Sequence, residues 1–429
     1  MRSALKVCSV MLLSLCLATS AQASGNLVSS KVMGAVKGVM KATATAGAVA
    51  LLVCGSTGCD QTGQGKVADM VMAVEKDGGE MMVKIGMNYD ARYDINAWTG
   101  AQLAVDEINA AGGIHGMEVE LLARDNMKDL AQSIALTNDL IHNHNVVALV
   151  GPEYSTHAIE TGTIANANRV PMISTTATNP NVARTGKYVF QAAFSDDFQG
   201  LLMANFAMNE LGAMTAAVIT ESGDVYSEGL STTFITNFTG IGGTLVAHQR
   251  YTNGDTDFSS QLAAVQASGA DVVFVPGFMP EVALLVKQGR SMGIEANFIG
   301  ADGWANDDLV KIGGEAMEGT HFSSHFYSIP EIGLSNRTIQ FIHSHIDVYG
   351  ERPISRSALG YDAVYLIAQA IERAGSLEGA DIIAEIAATS DYDGATFISG
   401  FGPEGHARKA AVVETVRDGA TVFHSLVRP

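Results

Sequence analysis

Residues 271–302, DVVFVPGFMPEVALLVKQGRSMGIEANFIGAD, contain two short apolar runs with a helical pattern between them. The runs DVVFVPG (271–277) and NFIGAD (297–302) have the length and continuity of buried strands. The segment PEVALLVKQGRSMG (280–293) has apolar residues at helical spacing and a glycine at its end. Because strands separated by helices pair in parallel, this stretch predicts one unit of a parallel sheet covered by helices.

The same alternation extends along the chain in both directions. Strands are predicted at 81–87, 117–125, 146–151, 170–174, 216–220 and 244–251, and helices at 97–113, 128–143, 155–169, 197–211, 225–239 and 258–269. Two such runs predict an α/β fold with two doubly wound parallel-sheet lobes, joined by crossover hinge strands. Further helices at 335–348 and 357–374, with strand-like segments at 395–400 and 410–423, indicate that the chain crosses back between the lobes. We expect lobe 1 to contain 81–196 and 326–404, and lobe 2 to contain 197–325 and 405–429.

The first 80 residues have the features of an export leader. Arg2 and Lys6 precede the apolar run VCSVMLLSLCLA, and AQA ends at Ala23, which together are typical of a signal peptide at 1–23. Residues 24–80 are then a leader and linker. A lipoprotein signal that ends before Cys59 is the alternative, with Cys59 as the lipidated residue. Two further interpretations of this region are that translation starts at Met33 or Met40, and that residues 32–54 form a helix.

Charge and cysteine content exclude several classes of protein. Residues 1–58 carry five basic residues and no acid, whereas the chain from Cys59 onward has 21 basic against 45 acidic residues. Because the chain from Cys59 onward is strongly acidic, it repels the phosphate backbone of nucleic acids, and we expect no nucleic-acid partner. All four cysteines precede residue 60, so thiol catalysis and cysteine-bound zinc are excluded from the body. Histidine spacings such as HFSSH lack a metalloprotease pattern, and no phosphate or dinucleotide loop is present, so we expect neither metal nor cofactor.

Polar and aromatic residues follow several predicted strands where each strand ends, the position at which ligands bind in parallel sheets. Ser155 opens a helix, and its hydroxyl together with free helix-end N–H groups suits a carboxylate. A simple helix cap is the alternative for Ser155, and a hydroxyl-rich turn is the alternative for Thr176 and Thr178. In the second lobe the candidates are Tyr226, Phe278 and Asp302, with Trp304 two residues further on. Asp302 and Trp304 are also compatible with a turn and a core residue.

Several stretches, taken together and in order, resemble one protein family more specifically than any single motif does. They include TGAQLAVDEINAAGGIHG, VVALVGPEYS, VPMISTTATNP, VYSEGL, FIGADGW and YDAVYLIAQAIERAG, in this order along the chain. The chain from about 82 to 425 resembles the periplasmic solute-binding proteins of branched-chain amino acid ABC transporters. The resemblance implies a type I periplasmic binding fold and a monomer that captures an amino acid between its lobes and delivers it to membrane permease subunits.

The resemblance also implies roles for individual residues. Ser155 would bind the amino acid carboxylate, with backbone and hydroxyl contacts from Thr176 and Thr178, and Asp302 would pair with the ammonium group. Aromatic residues would lie around the ligand: Tyr226, Phe278, Trp304 and, from the first cleft loop, Tyr93. Two features depart from the family pattern, namely Glu153-Tyr154 beside Ser155 and a first cleft loop that lacks a Gly-Pro turn.

Other functions remain compatible with the sequence. One is a receptor for short amides, urea, or aromatic or acidic amino acids. Another is a sensory binding protein, and a third is a periplasmic enzyme, although no nucleophile and base are recognisable together.

Overall fold

The computed structural model describes residues 82–93, 95–328 and 334–428. The predicted signal peptide, the linker and Cys59 therefore lie outside the described residues. The described part begins with strands and helices in alternation: β1 (Met82–Tyr89), α1 (Ile95–Ala110), β2 (Glu118–Asp125), α2 (Leu130–His142), β3 (Ala148–Val150), α3 (Ser155–Asn168), β4 (Met172–Ser174) and β5 (Val189–Gln191).

The alternation continues through the middle of the chain. The elements are α4 (Asp196–Asn209), β6 (Thr215–Glu221), α5 (Val225–Gly240), β7 (Thr244–Tyr251), α6 (Ser259–Ser268), β8 (Val272–Phe274), α7 (Glu281–Ser291), β9 (Asn297–Gly300), α8 (Asp308–Gly313) and β10 (His321–Ser324).

The C-terminal part has helices first and strands last. The elements are α9 (Asn336–Tyr349), α10 (Ser355–Ala374), α11 (Gly379–Ala387), β11 (Ser390–Asp393), β12 (Phe397–Phe401), β13 (Ala407–Arg408), β14 (Ala411–Arg417) and β15 (Ala420–Val427).

The strands form two large sheets, one in each lobe. The first lobe is built on a parallel sheet in the order β2-β1-β3-β4-β5, against which α1, α2, α3 and α10 pack. The second lobe is built on a sheet in the order β15-β14-β10-β9-β8-β6-β7. Alternate residues of β6 and β8 enter two different cores, one on each face of this sheet, as a doubly wound arrangement requires.

Within the described residues the chain leaves the first sheet after β5 and enters the second. After β10 it leaves the second sheet for α9, α10 and α11 and for a small third sheet, β11-β12-β13, and after β13 it returns to the second sheet. The fold class predicted from the sequence is thus confirmed, while the residue limits of the lobes stay a prediction. The alternation of strands and helices did not predict one feature of the second sheet. At its edge, β14 and β15 form an antiparallel hairpin.

The elements that the sequence did not predict are short. β5 has three residues and α8 has six. β10 reads His-Phe-Ser-Ser and has one apolar side chain, so it lacks the pattern of a buried strand. Its polarity has a structural reason, since the Ser323 hydroxyl donates a hydrogen bond to Oε1 of Gln199, at 3.0 Å.

Two glycines allow α1 and α10 to approach closely. A Cβ at Gly100 would overlap the carbonyl oxygen of Ser357, and a Cβ at Gly360 would overlap the carbonyl oxygen of Ala97. The backbones of the two helices are therefore in direct contact, which holds the N-terminal end of α10 against the first lobe.

We expect Gly100→Ala to lower the free energy of unfolding by at least about 2 kcal/mol, because a backbone overlap cannot be relieved by rotating a side chain. Gly240→Ala, at the end of α5 with nothing within 4 Å of the added Cβ, is the matched control. It should stay within about 0.5 kcal/mol of the parent protein. Urea unfolding followed by circular dichroism measures both, and equal midpoints for the two variants would contradict the close approach.

Candidate functional site

One pocket lies where the carboxyl ends of strands from both sheets face each other. It encloses about 390 Å³ when the open space at its mouth is included. The residues that line it come from both lobes: Tyr93, Glu153, Tyr154, Ser155, Thr176, Tyr226, Phe278, Asp302, Gly303, His325, Ser355 and Arg356. Six of the eight binding residues predicted from the sequence are in this set.

The first lobe contributes a helix N-terminus to the pocket. Ser155 is the first residue of α3 and is buried, and the preceding Tyr154 provides no side-chain cap for the helix. The Ser155 hydroxyl accepts a hydrogen bond from the backbone N–H of Asn179 at 3.3 Å, and Thr176 donates one to the carbonyl of Glu153 at 3.4 Å. Uncapped N–H groups at a helix N-terminus attract anions, so this end of the pocket suits a carboxylate.

The second lobe contributes a carboxylate held by neutral donors. Asp302 begins a helical turn after β9 and is 8% exposed. Its Oδ1 accepts hydrogen bonds from the Tyr226 hydroxyl and from Nε2 of Gln199, both at 3.0 Å. Its Oδ2 lies 3.3 Å from Nε2 of His325. Because a carboxylate only accepts, Nε2 of His325 carries the proton in this contact.

His325 is uncharged in this setting. Burial lowers the pKa of its imidazole, and the Asp302 carboxylate only partly opposes that effect. His325 follows β10 by one residue, so the rule that located the other candidates applies to it as well. The sequence analysis missed it because β10 itself was not recognised.

A second carboxylate, Asp196, lies behind the pocket. Nε2 of Gln199 donates to Oδ1 of Asp196 at 2.7 Å as well as to Asp302, so one amide connects the two acids. Burial raises the pKa of Asp196 well above its usual range, and the charge of Asp302 raises it further. Burial therefore favours the protonated, uncharged form of Asp196, the acid that lies behind the pocket.

Aromatic rings from both lobes enclose the pocket between these two ends. The Phe278 ring centroid lies 4.9 Å from that of Tyr226, 5.3 Å from that of Tyr154 and 6.3 Å from that of Tyr93. Nζ of Lys128 lies 5.1 Å from the Tyr154 centroid and 5.7 Å from the Phe278 centroid. These contacts join the first lobe to the second.

Direct hydrogen bonds also cross between the lobes. The Tyr93 hydroxyl donates to the carbonyl of Gly303 at 3.2 Å, and Nδ2 of Asn179 donates to the carbonyl of Val225 at 3.0 Å. The structure is therefore a closed form, in which the two lobes meet around the pocket.

Two charged side chains also line the pocket. Arg356, the second residue of α10, is 4% exposed, and its guanidinium carbon lies 4.0 Å from the centroid of the Tyr93 ring. Its Nη1 donates to the carbonyl of Tyr93 at 2.9 Å. Glu153 is 5% exposed, and its Oε1 accepts from the backbone N–H of Asp90 at 2.9 Å. No strand-end pattern points to Arg356, because the start of a helix rather than the end of a strand places it here.

Two predicted site residues lie elsewhere. Trp304 is fully buried in a core of the second lobe, where its indole N–H donates to the carbonyl of Val275 at 2.9 Å. The prediction that Trp304 walls the pocket is wrong, and its alternative as a core residue holds. Thr178 is also fully buried and does not line the pocket, and its carbonyl accepts from the backbone N–H of Asp196 at 2.9 Å.

Neither a metal centre nor a membrane span was found in the part of the chain that the structure describes. Residues 82–93, 95–328 and 334–428 contain no group of three or more His, Cys, Asp or Glu side chains placed to bind a metal ion. Within the same residues no helix has both the length and the apolar character needed to cross a bilayer.

Comparison with known proteins gives a consistent set of relatives. A model of the periplasmic binding protein family matches residues 83–420. An amino acid binding protein of Pseudomonas aeruginosa is 32% identical over 52% of this chain and 60% of its own length. The Leu/Ile/Val-binding protein BraC3 of Rhizobium johnstonii is 30% identical over 68% of this chain and 78% of its own.

A solved structure extends the similarity to the backbone. The branched-chain amino acid transporter substrate-binding protein LivJ of Streptococcus pneumoniae, determined in complex with isoleucine, superposes with a TM-score of 0.76 at 31% identity. The match covers 81% of this chain and all of that one. The resemblance inferred from the sequence is confirmed, and the chain belongs to the periplasmic binding protein family.

Proposed function

We propose that this protein is an extracytoplasmic receptor that captures an amino acid, branched-chain or related, between its lobes and delivers it to an ABC transporter. The observation that carries the proposal is the pairing of opposite polarities across one pocket. The N-terminus of α3 at Ser155 offers donors, and Asp302 offers an anion. A zwitterionic α-amino acid has the complementary charges on adjacent atoms.

Seven of the eight predicted binding residues then have a role, and Trp304 is the exception. Ser155 and Thr176 bind the carboxylate, and Thr178 supports the loop that carries Thr176. Asp302 pairs with the ammonium group and Tyr226 orients Asp302. Phe278 and Tyr93 pack on the rest of the ligand.

The energy available from these contacts is sufficient for a transport receptor. Hydrogen bonds to charged groups contribute roughly 1.5–3 kcal/mol each. Several of them, shielded from water when the lobes close, account for a dissociation constant of about 1 µM, which corresponds to about 8 kcal/mol. Closure around hinge segments is the motion expected of such a two-lobed receptor.

The named relatives support an amino acid as the ligand, since one binds Leu, Ile and Val by name and another was crystallised with isoleucine. Permease subunits in the membrane are the partners that such receptors serve. We propose a monomer that binds without chemical conversion and uses no cofactor. An amide or urea receptor is a distinguishable alternative, because it would be indifferent to loss of the α-amino group.

We expect Asp302→Asn to raise the dissociation constant for amino acids at least about 30-fold, because an ammonium group would be buried without its counter-charge. Asp196→Asn is the matched control, since burial favours the uncharged form of Asp196 and an amide oxygen keeps the hydrogen bond from Gln199. Thermal-shift titrations with the twenty amino acids and with acetamide and urea measure both variants. If Asp302→Asn leaves affinity unchanged, the assigned ammonium site is wrong.

Closure of the lobes should depend on Lys128, whose ammonium group lies over one ring of each lobe. Burial raises the pKa values of Glu221 and Asp224 in the second lobe, and the positive charge of Lys128 lowers them in part. We expect Lys128→Met to speed ligand dissociation about two- to fivefold, the size of a cation–π contribution near 0.5–1 kcal/mol.

Stopped-flow fluorescence at low and high salt measures this rate. Lys311→Met, which removes an exposed lysine paired with Asp308, is the control and should not change it. Equal dissociation rates for the parent protein and both variants would exclude Lys128 from closure.

We also propose export from the cytoplasm, which the leader supports but the described residues do not address. Mass spectrometry of the protein isolated from its native cells should find an N-terminus at Ser24, or a lipid on an N-terminal Cys59 in the lipoprotein alternative. A cell-derived chain that keeps its leader would contradict export.

A further inference from the structure

His325 and Asp302 form a contact that belongs to one sheet. His325 follows β10 and Asp302 follows β9, and these two strands are parallel neighbours in the second sheet. Nε2 of His325 lies 3.3 Å from Oδ2 of Asp302, and the two residues are 4% and 8% exposed. Both line the pocket. Because one sheet carries both side chains, movement of the first lobe does not separate them.

The charge on His325 decides what Asp302 offers to a ligand. The other donors to Asp302, the Tyr226 hydroxyl and the Gln199 amide, carry no charge, and burial favours the uncharged form of Asp196 behind it. The neutral imidazole therefore leaves the charge of Asp302 available to an ammonium group. A second proton, on Nδ1, would turn the contact into a salt bridge within the protein.

An imidazolium on His325 and the ammonium group of a ligand would compete for Asp302. The two cations would lie against the same carboxylate, and like charges a few ångströms apart in a closed pocket repel each other. Binding of an amino acid therefore favours the neutral ring.

The groups around His325 already favour the neutral ring in the closed form. Burial is the largest cause of its lowered pKa, the Asp302 carboxylate opposes burial, and the charges of Lys409 and Arg356 lower the pKa further. The Phe194 ring packs against the imidazole, with the two centroids 3.8 Å apart. Among the described residues Nδ1 is buried without a hydrogen-bond partner, so a proton placed there would be unsatisfied.

Opening of the lobes would relieve part of this penalty. α10 packs against the first lobe, so Arg356 moves with that lobe and lies near His325 in the closed form. The pKa of His325 is thus lower in the closed, liganded form than in the open form. By linkage, the form with the lower pKa is favoured at high pH and is lost as the pH falls through the pKa of the other form.

We propose that His325 is a positioning residue whose second proton competes with the ammonium group of the ligand for Asp302, so that acidification releases the ligand. This inference rests on the proposed function, because it takes Asp302 as the ammonium site.

The pH dependence of affinity tests the inference. All twenty amino acids are titrated calorimetrically at about pH 7.5, and the tightest binder is then followed down to about pH 5. We expect its dissociation constant to rise at least about threefold, with a slope of at most about tenfold per pH unit because one proton is involved. The heat of binding near the acidic end should change with the ionisation enthalpy of the buffer, because binding releases that proton.

Two variants assign the pH dependence to its residue. His325→Gln keeps an N–H donor for Asp302 but cannot take a second proton, so its affinity should lose the rise in dissociation constant and the release of a proton. His321→Gln is the matched control, because His321 lies on the same strand, is partly buried and does not line the pocket. It should keep the profile of the parent protein.

The profile of the variant has a clear contrary outcome. A pH dependence that persists in His325→Gln would assign the titration to another group, such as His157 beside Tyr154, and would overturn the inference. His325→Asn, which also lacks a second titration, is the alternative variant if ligand-free unfolding shows that His325→Gln is not folded.

The parent protein separates the inference from the proposed function. A dissociation constant that stays constant down to about pH 5, in a protein whose binding still requires Asp302, would overturn the role of His325 alone. Failure of every amino acid to bind at about pH 7.5 would overturn the proposed function and the inference with it.

Discussion

Asp302 is a buried carboxylate whose hydrogen-bond donors are all uncharged, and the chemistry of the pocket depends on this fact. The Tyr226 hydroxyl, the Gln199 amide and the neutral His325 ring satisfy its oxygens without cancelling its charge. A salt bridge to a protein cation would have stabilised the acid equally well but would have left nothing for a ligand. The raised pKa of Asp196 serves the same end, since burial disfavours a second negative charge directly behind Asp302.

The fold explains why the opposite charge lies across from Asp302. Parallel strands bring their carboxyl ends to one edge of a sheet, and each following helix presents its N-terminus there. The first lobe uses such a helix end at Ser155, whereas the second lobe uses a strand end at Asp302. When two sheets of this kind face each other, a small dipolar molecule fits between them. The glycine contact between α1 and α10 matters to this geometry, because it fixes the helix that brings Arg356 to the same pocket.

Strand-end reasoning located much of the site from sequence, and its failures have physical causes. Ser155, Thr176, Tyr226, Phe278 and Asp302 all follow clear apolar strands and all line the pocket. His325 was not predicted because β10, the strand before it, has polar residues that hydrogen-bond within a buried network. The residue pattern of β10 therefore did not indicate a strand. Trp304 was misplaced because a residue two positions after a strand end can turn inward as easily as outward, and the Val275 carbonyl gives its indole N–H a partner inside. Arg356 lies at the start of a long helix, where sequence pattern predicts the helix but not which pocket its end reaches.

The residues that line the pocket come from separate elements of the fold, and this separation has a consequence for specificity. The groups proposed to bind the carboxylate and the ammonium follow β3 and β9 and are held by α3 and by the hydrogen bonds to Asp302. Arg356 comes instead from the start of α10, and its ring partner Tyr93 comes from the loop after β1. Substitutions there would change the lining of the pocket without removing the hydrogen bonds that hold Asp302. A backbone shared with the isoleucine-bound relative therefore does not by itself fix the side chain that the pocket accepts.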